Sequence, residues 1–286
     1  ISARPTVQNM VQVLKTVRRN EPFDVIHSFA RLAYLLPLLP LSQPKIQSYQ
    51  RFISPRSIRL GTALSRGSLT FTTCSAINAI PVRDLGGRWE IIYNGVEMGK
   101  YQYSSIVADD APLVFLGRVE RIKGAHTAIE AARRVGRRLI IAGNHAETGE
   151  AADYFSREIL PQCDGEQVVY VGPVNDLQKN DLLGRAAALL FPIEIEEPFG
   201  IVMAEALACG TPVIALRRGA VPEVVRHAET GFVCDGLEDM VTAISQIGRL
   251  NRQACRQDAE HRFSETAITD QYESLYHSVV QRRNGS

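Results

Sequence analysis

From Ala111 onward the chain keeps one rhythm: four or five apolar residues, a small or polar break, then about ten residues at helical spacing. The apolar runs are 113–117 (LVFLG), 138–142 (RLIIA), 167–171 (QVVYV), 188–191 (ALLF) and 212–216 (PVIAL), and helices are expected near 125–135, 150–160, 176–187 and 200–209. A strand buried on both faces reads as a continuous apolar run, and helices between successive strands impose right-handed crossovers. This part must therefore fold as a parallel sheet covered by helices on both faces, an α/β architecture.

The upstream part is sparser. Short buried strands are expected at 23–27 (FDVIH), 69–74 (LTFTTC) and 89–93 (WEIIY), and Val7, Met10, Val11, Leu14 and Val17 mark an amphipathic helix over 5–20. Residues 97–111 (EMGKYQYSSIVADDA) are polar and aperiodic and follow the Asn94-Gly95 turn, so they read as a linker. The expected organisation is a first α/β domain over 1–96, a linker over 97–111, a second domain over 112–255 and a helical segment over 256–286 that packs back toward the first domain. Within that segment Ile268, Tyr272, Leu275, Tyr276 and Val279 form one stripe of a closing helix. The chain opens at Ile1 with no initiator Met and no signal-peptide core, so it reads as beginning part-way through a longer sequence.

Composition excludes several classes. With 45% hydrophobic and 22% charged residues the chain can bury enough apolar surface to offset its conformational entropy, which rules out disorder. Five cysteines without a CxxC pair are neither a disulfide framework nor a metal motif and point to a reduced, cytoplasmic compartment. The most apolar run, Leu32 to Leu41, is half the roughly 20 residues a membrane crossing needs, and Pro37 and Pro40 interrupt it. A net charge of +1 gives no reason to expect a nucleic-acid partner. That total hides an asymmetry: residues 1–70 carry ten Lys/Arg against Glu21 and Asp24. Such a face suits peripheral contact with a membrane surface or an anionic acceptor, although dispersed charges read more simply as a solvated surface.

In open parallel sheets ligands bind beyond the carboxyl ends of the strands. After LVFLG come Arg118 and Lys123; after RLIIA, Gly143-Asn144; after QVVYV, Gly172, Pro173 and Val174; after LLFPI, Glu194, Glu196 and Glu197, then Pro198-Phe199-Gly200. With neither GxG nor a GxxxxGK[ST] loop present, nicotinamide and P-loop chemistry are not expected. Arg118 and Lys123 can hold an anion such as a diphosphate, yet two cations in isolation read more readily as surface charges. In Glu197-Pro-Phe-Gly-Ile-Val-Met-Ala-Glu205 one carboxylate sits in an entry loop and the other inside a helix, and the amides of Phe199, Gly200 and Ile201 face outward at the helix start. The same stretch also reads as a capped core helix. His27, closing an apolar strand, can face a cleft or serve as a hydrogen-bonded structural residue. Cys209 reads as a small buried residue. Tyr49, Gln50 and Arg51, which fall after a further short strand of the upstream part, can touch an acceptor but read better as surface, and Glu223 as a residue that fixes the following helix.

The runs GRVERIKGAHTAIEAA (117–132), EEPFGIVMAEALACGTPVIA (196–215) and GAVPEVVRHAETGFV (219–233) resemble the retaining glycosyltransferases of the GT-B fold known as family 4. Asn94-Gly95-Val96, the FDVIH strand and the closing helix match as well. The resemblance implies two Rossmann-like domains with parallel sheets facing a cleft, the N-terminal one incomplete. The family's first strand and Gly-rich loop would lie before Ile1, and a chain lacking them is expected to be impaired. The implied activity is transfer of a hexose from a nucleoside-diphosphate sugar, UDP- or GDP-linked, to an unidentified acceptor, lipid-linked or small, with retention. No metal and no other cofactor is implied. Arg118 and Lys123 would hold the donor diphosphate with the amides of Phe199, Gly200 and Ile201. Glu205 would bind the ribose hydroxyls, Glu197 the donor sugar, and backbone near Gly172 and Val174 the base. His27 would lie near the sugar or acceptor; where many members carry a second His, this chain has Phe29. The alternatives are a nucleotide-sugar epimerase of the same fold and a non-catalytic nucleotide-sugar binding module.

Overall fold

A computed structural model describes residues 8, 11–17 and 23–284. The chain forms two compact units, one running to Tyr93 and resuming at Ile268, the other spanning Asn94–Ala267.

The first unit carries a four-stranded parallel sheet in chain order, β1 (Ile26–Ser28), β2 (Lys45–Tyr49), β3 (Leu69–Thr73) and β4 (Arg88–Ile91), with His27 beside Ile46 and Phe71 beside Trp89. All five residues of β3 are buried, as a central strand requires. The apolar run from Leu32 resolves into a 3-10 helix (Leu32–Leu38) whose three-residue repeat buries Leu32, Leu35 and Leu38. Among the described residues no helix is long and apolar enough to cross a membrane. Helix α1 (Pro55–Ser65) starts with Pro in its first turn, where the missing N–H costs nothing. Of the amphipathic helix expected over 5–20, residues 8 and 11–17 are helical, and Leu14 and Val17 pack on the core while Val11 faces solvent. Val7 and Met10 lie outside the described residues.

The second unit carries a six-stranded parallel sheet, β5 (Leu113–Leu116), β6 (Leu139–Ala142), β7 (Val168–Gly172), β8 (Ala188–Phe191), β9 (Val213–Leu216) and β10 (Gly231–Cys234), in the order β10-β9-β8-β5-β6-β7. The chain winds outward from β5 through β7 and then from β8 through β10, so strand order reverses between β5 and β8. Helices α2 (Ala125–Arg134), α3 (Asp176–Arg185), α4 (Ile201–Ala208), α5 (Leu237–Ser245) and α6 (Arg252–Phe263) cover it. The helix expected over 150–160 is regular only at Glu150–Tyr154. It widens into a π turn at Phe155–Ile159 and tightens into 3-10 at Leu160–Gln162, where Pro161 has no N–H to continue the ladder.

The polar stretch 97–111 lies in the second unit. Tyr101 is buried, the Ser104 amide donates to the Cys209 carbonyl at 3.1 Å, and the Gln102 amide donates to Asn180 Oδ1 at 2.8 Å. Its polarity is consumed by these bonds. Helix α7 (Glu265–Asn284) belongs to the first unit from Ile268, and Leu275 and Val279 bury against Ile46 and Ile92.

Candidate functional site

Strand order reverses between β5 and β8, and beyond the carboxyl ends of strands at such a reversal the crossovers leave in opposite directions and ligands bind. Two loops border the reversal, 117–124 after β5 and 192–200 after β8, and the backbone ties them together. The Glu194 amide donates to the Ile122 carbonyl at 3.0 Å. Gly124, at φ +77°, lies so close to the second loop that a Cβ there would sit 2.0 Å from the Pro192 carbonyl oxygen. On the far side the Ala220 amide donates to the Glu197 carbonyl at 2.9 Å and the Gly219 amide to Glu196 Oε2 at 2.6 Å. A Cβ on Gly219 would fall 2.2 Å from the Glu197 carbonyl oxygen, so glycine is what lets this loop approach.

On this frame Lys123 and Glu197, 74 residues apart, meet at 2.5 Å with side chains only 17% and 20% exposed. Arg118 pairs with Glu120 at 2.5 Å and is 58% exposed, free to change partner. Arg121 turns away to pair with Glu158 and lie 4.9 Å over the Tyr154 ring. The loop after β8 leads into α4, whose N-cap is Gly200 at φ +75° with no side chain capping it, so Gly200 and Ile201 present the helix start. Phe199 is buried, its ring edge-on to Phe263 at 5.7 Å, and this anchors the entry.

Glu205 lies one turn inside α4 and is buried. Its Oε1 accepts from the Tyr101 hydroxyl at 2.7 Å and from Lys179 Nζ at 2.8 Å. Burial would lower the Lys179 pKa, but the Glu205 carboxylate more than offsets it and holds the ammonium above its ordinary range. Burial, reinforced by the bond to Glu205, also raises the Tyr101 hydroxyl. Gly172, at φ +74°, ends β7 with open space around it, and half-buried Val174 precedes Asn175, which forms a capping box with Gln178 at the start of α3.

His27 sits in the first unit, with Nδ1 2.8 Å from the Tyr276 hydroxyl and Nε2 2.7 Å from Ser48 Oγ. Burial pushes its pKa down to about 4, so the ring is neutral and both nitrogens are occupied. Cys209 is buried and its thiol is pushed up to about 12 by desolvation, the environment of an inert cysteine. Tyr49 closes β2 with Gln50 exposed beyond it, and the Arg51 carbonyl accepts from Asn78. The Glu223 carbonyl accepts from Arg262 in the turn Val221–Val224.

Arg118, Lys123, Glu197, Gly200 and Glu205 are thus carried at one edge of one sheet, and His27 belongs to another unit. Sequence reasoning missed Lys179 and Tyr101, 26 and 104 residues from Glu205. The one available signal was a carboxylate inside an otherwise apolar helix, which demands a buried partner. It also missed His126, in the first turn of α2, whose Nε2 lies 3.0 Å from Glu194 of the second loop.

Residues 102–269 match the family model described as Glycosyl transferases group 1. N-acetyl-alpha-D-glucosaminyl L-malate synthase of Bacillus anthracis is 31% identical over 124 residues, covering 41% of this chain and 32% of that protein. Glycogen synthase of Mycobacterium tuberculosis is 31% identical over 182 residues, covering 60% of this chain and 43% of that one. The chain thus spans less than half the length of these two relatives. Among solved structures, Anabaena Alr3699/HepE in complex with UDP superposes with a TM-score of 0.78 at 20% identity, covering 94% of this chain and 82% of that one. Sucrose-phosphate synthase from Thermosynechococcus elongatus gives a TM-score of 0.77 at 20% identity over 95% and 77% of the two chains.

Proposed function

This chain belongs to the glycosyl transferases group 1 family and has the GT-B fold, and from that premise we propose that it transfers a hexose from a nucleoside-diphosphate sugar to an acceptor, retaining the anomeric configuration and using no metal ion. The observation that carries the reading is the Lys123–Glu197 pair at 2.5 Å beside the uncapped start of α4, at the point where strand order reverses. A cation resting against a carboxylate is a site awaiting exchange. An incoming diphosphate takes Lys123, the freed Glu197 carboxylate turns to the hexose hydroxyls, and exposed Arg118 leaves Glu120 for the same phosphates.

The amides of Phe199, Gly200 and Ile201 add the positive end of α4. Glu205 accepts from the ribose hydroxyls, held in place by Lys179 and Tyr101, and backbone near Gly172 and Val174 borders the base. As the bond from the anomeric carbon to the diphosphate oxygen breaks and the bond to the acceptor oxygen forms, charge grows on the leaving group. Once they have exchanged partners, two cations and a helix start beside it supply the stabilisation that a divalent ion would otherwise give. His27 enters as a neutral hydrogen-bonding residue of the first unit. A uridine donor is supported by Alr3699/HepE, whose structure is in complex with UDP.

The test begins with thermal shifts in UDP, GDP, ADP and their hexose conjugates, followed by turnover in chelator with candidate acceptors. Retention is read from the anomeric coupling of the product by NMR. Transfer with retention in chelator is the expected result. Inversion at the anomeric carbon, an altered but intact nucleotide sugar, or binding without turnover by the full-length protein would each overturn it, the last two in favour of an epimerase or a binding module.

A further inference from the structure

The first unit holds a cavity of about 710 Å³ at the amino ends of its strands, the edge opposite to the one where ligands of such sheets bind. Arg66, Arg88, Arg282 and Arg283 line it, together with the hydroxyl residues Ser42 and Ser68, and no Asp or Glu contributes to its wall. The four guanidinium groups come from three separate elements: Arg66 caps the end of α1, Arg88 opens β4, and Arg282 and Arg283 lie in the last turn of α7. Arginine near a helix end complements the helix dipole, which explains Arg66, Arg282 and Arg283 one at a time but not Arg88 at a strand start. It does not explain why three elements aim their cations at one hollow.

A further cation follows Pro44 of the cavity wall. Lys45, at the start of β2, is fully buried and donates to the Leu41 and Gln43 carbonyls at 2.6 Å each. Burial, with repulsion from Arg283 added, pulls its pKa down to about 8. Among the described residues Arg66, Arg88 and Arg283 have no ion-pair partner, whereas most arginines of the second unit that appear in these loops and helices do. Arg66 moreover adopts a left-handed conformation at φ +51°, a strain that Gly or Asn would carry at less cost.

We infer that this cavity is a binding site for a phosphate-bearing anion, separate from the donor site of the second unit. Guanidinium forks match phosphate oxygens in pairs, the Ser42 hydroxyl adds a further donor, and the volume admits a phosphorylated small molecule or the phosphate headgroup of a lipid. The inference does not depend on the proposed transfer activity.

Calorimetry of the full chain with pyrophosphate tests it, using Arg118→Ala/Lys123→Ala to silence the donor site. That variant should still bind one pyrophosphate, and adding Arg88→Gln/Arg283→Gln should weaken this binding at least tenfold. Arg88→Lys/Arg283→Lys should weaken it by less, since the charge remains. Sedimentation with phosphatidylcholine vesicles, with and without phosphatidylglycerol, separates the sources. Capture only by the anionic vesicles, lost in the Gln variant, identifies a lipid headgroup; binding of pyrophosphate and glycerol 3-phosphate without capture identifies a soluble ligand. No binding by the donor-silenced protein in either arm, or equal binding by the Gln variant, overturns the inference. Circular dichroism of the Gln variant, whose two substituted residues are exposed, checks that its fold is intact.

Discussion

At the residue scale, the chemistry turns on how buried charges are partnered. Glu205 has one oxygen engaged by both Tyr101 and Lys179, so its other oxygen remains to accept from a ligand. Glu205→Ala should weaken nucleotide binding by about 1.5–3 kcal/mol even with no sugar attached, the cost of losing hydrogen bonds to a charged group. Calorimetry with the bare nucleoside diphosphate checks this, and an unchanged affinity would remove Glu205 from the site. His27 gives a prediction of opposite origin. Its folded-state pKa of about 4 lies below the ordinary 6.5, so the unfolded chain binds a proton that the folded chain refuses. Stability should therefore fall as pH drops from about 6.5 toward 4, and His27→Gln should flatten that slope. Urea unfolding midpoints across this range measure it; identical slopes would show that the ring is not the titrating group. The positions of Arg118, Lys123 and Glu197 on the sheet were legible because each follows a strand end. Lys179 and Tyr101 were not, because a partner separated by 26 or 104 residues leaves no trace in local pattern.

At the scale of elements, the site exists because two loops are locked by glycine. Gly124→Ala would force a Cβ to within 2.0 Å of the Pro192 carbonyl at a φ of +77°, so the loops carrying Lys123 and Glu197 must part. The strain alone should cost about 1–2 kcal/mol. Gly136→Ala is the control, for it has a similar φ of +66° and open space around it. Gly124→Ala should destabilise the protein more than the control and lose nucleotide affinity, whereas Gly136→Ala should keep it; equal behaviour of the two would deny that close approach matters. The strands β5 to β9 were legible because each is an apolar run ended by small or polar residues. Helix α6 was legible only from residue 256, as part of the helical segment expected there, and its inward contacts were not, since RQACRQDAEHRF looks like a solvated surface. Its arginines instead reach inward: Arg252 donates to the Ser104, Ala186 and Gly184 carbonyls, and Arg256 to those of Tyr101 and Ala208. Charge that satisfies buried carbonyls is indistinguishable in sequence from charge that meets water. Strand β2 was legible only as a short strand ahead of Gln50, because Lys45 and Gln47, both buried in it, interrupt the apolar pattern.

At the scale of the whole molecule, two cores imply two stabilities. The second unit builds its core on six strands and the first on four, and the main chain passes between them at 93/94 and 267/268. A ligand confined to the second unit stabilises that unit by RT ln(1 + [L]/Kd), about 2.7 kcal/mol at a hundred times Kd. Amides that exchange only when the second unit opens, those of β5 and β8 at the centre of its sheet, should then exchange roughly a hundredfold more slowly. Amides of β2 and β3 open with the first unit and should keep their rates. Hydrogen exchange read by mass spectrometry, with and without the nucleoside diphosphate, resolves both sets in one experiment. Protection confined to β2 and β3 would move the nucleotide to the wrong unit. Equal slowing of both sets would mean that the two cores open as one cooperative body, and the division of the chain at Tyr93 would have no thermodynamic counterpart.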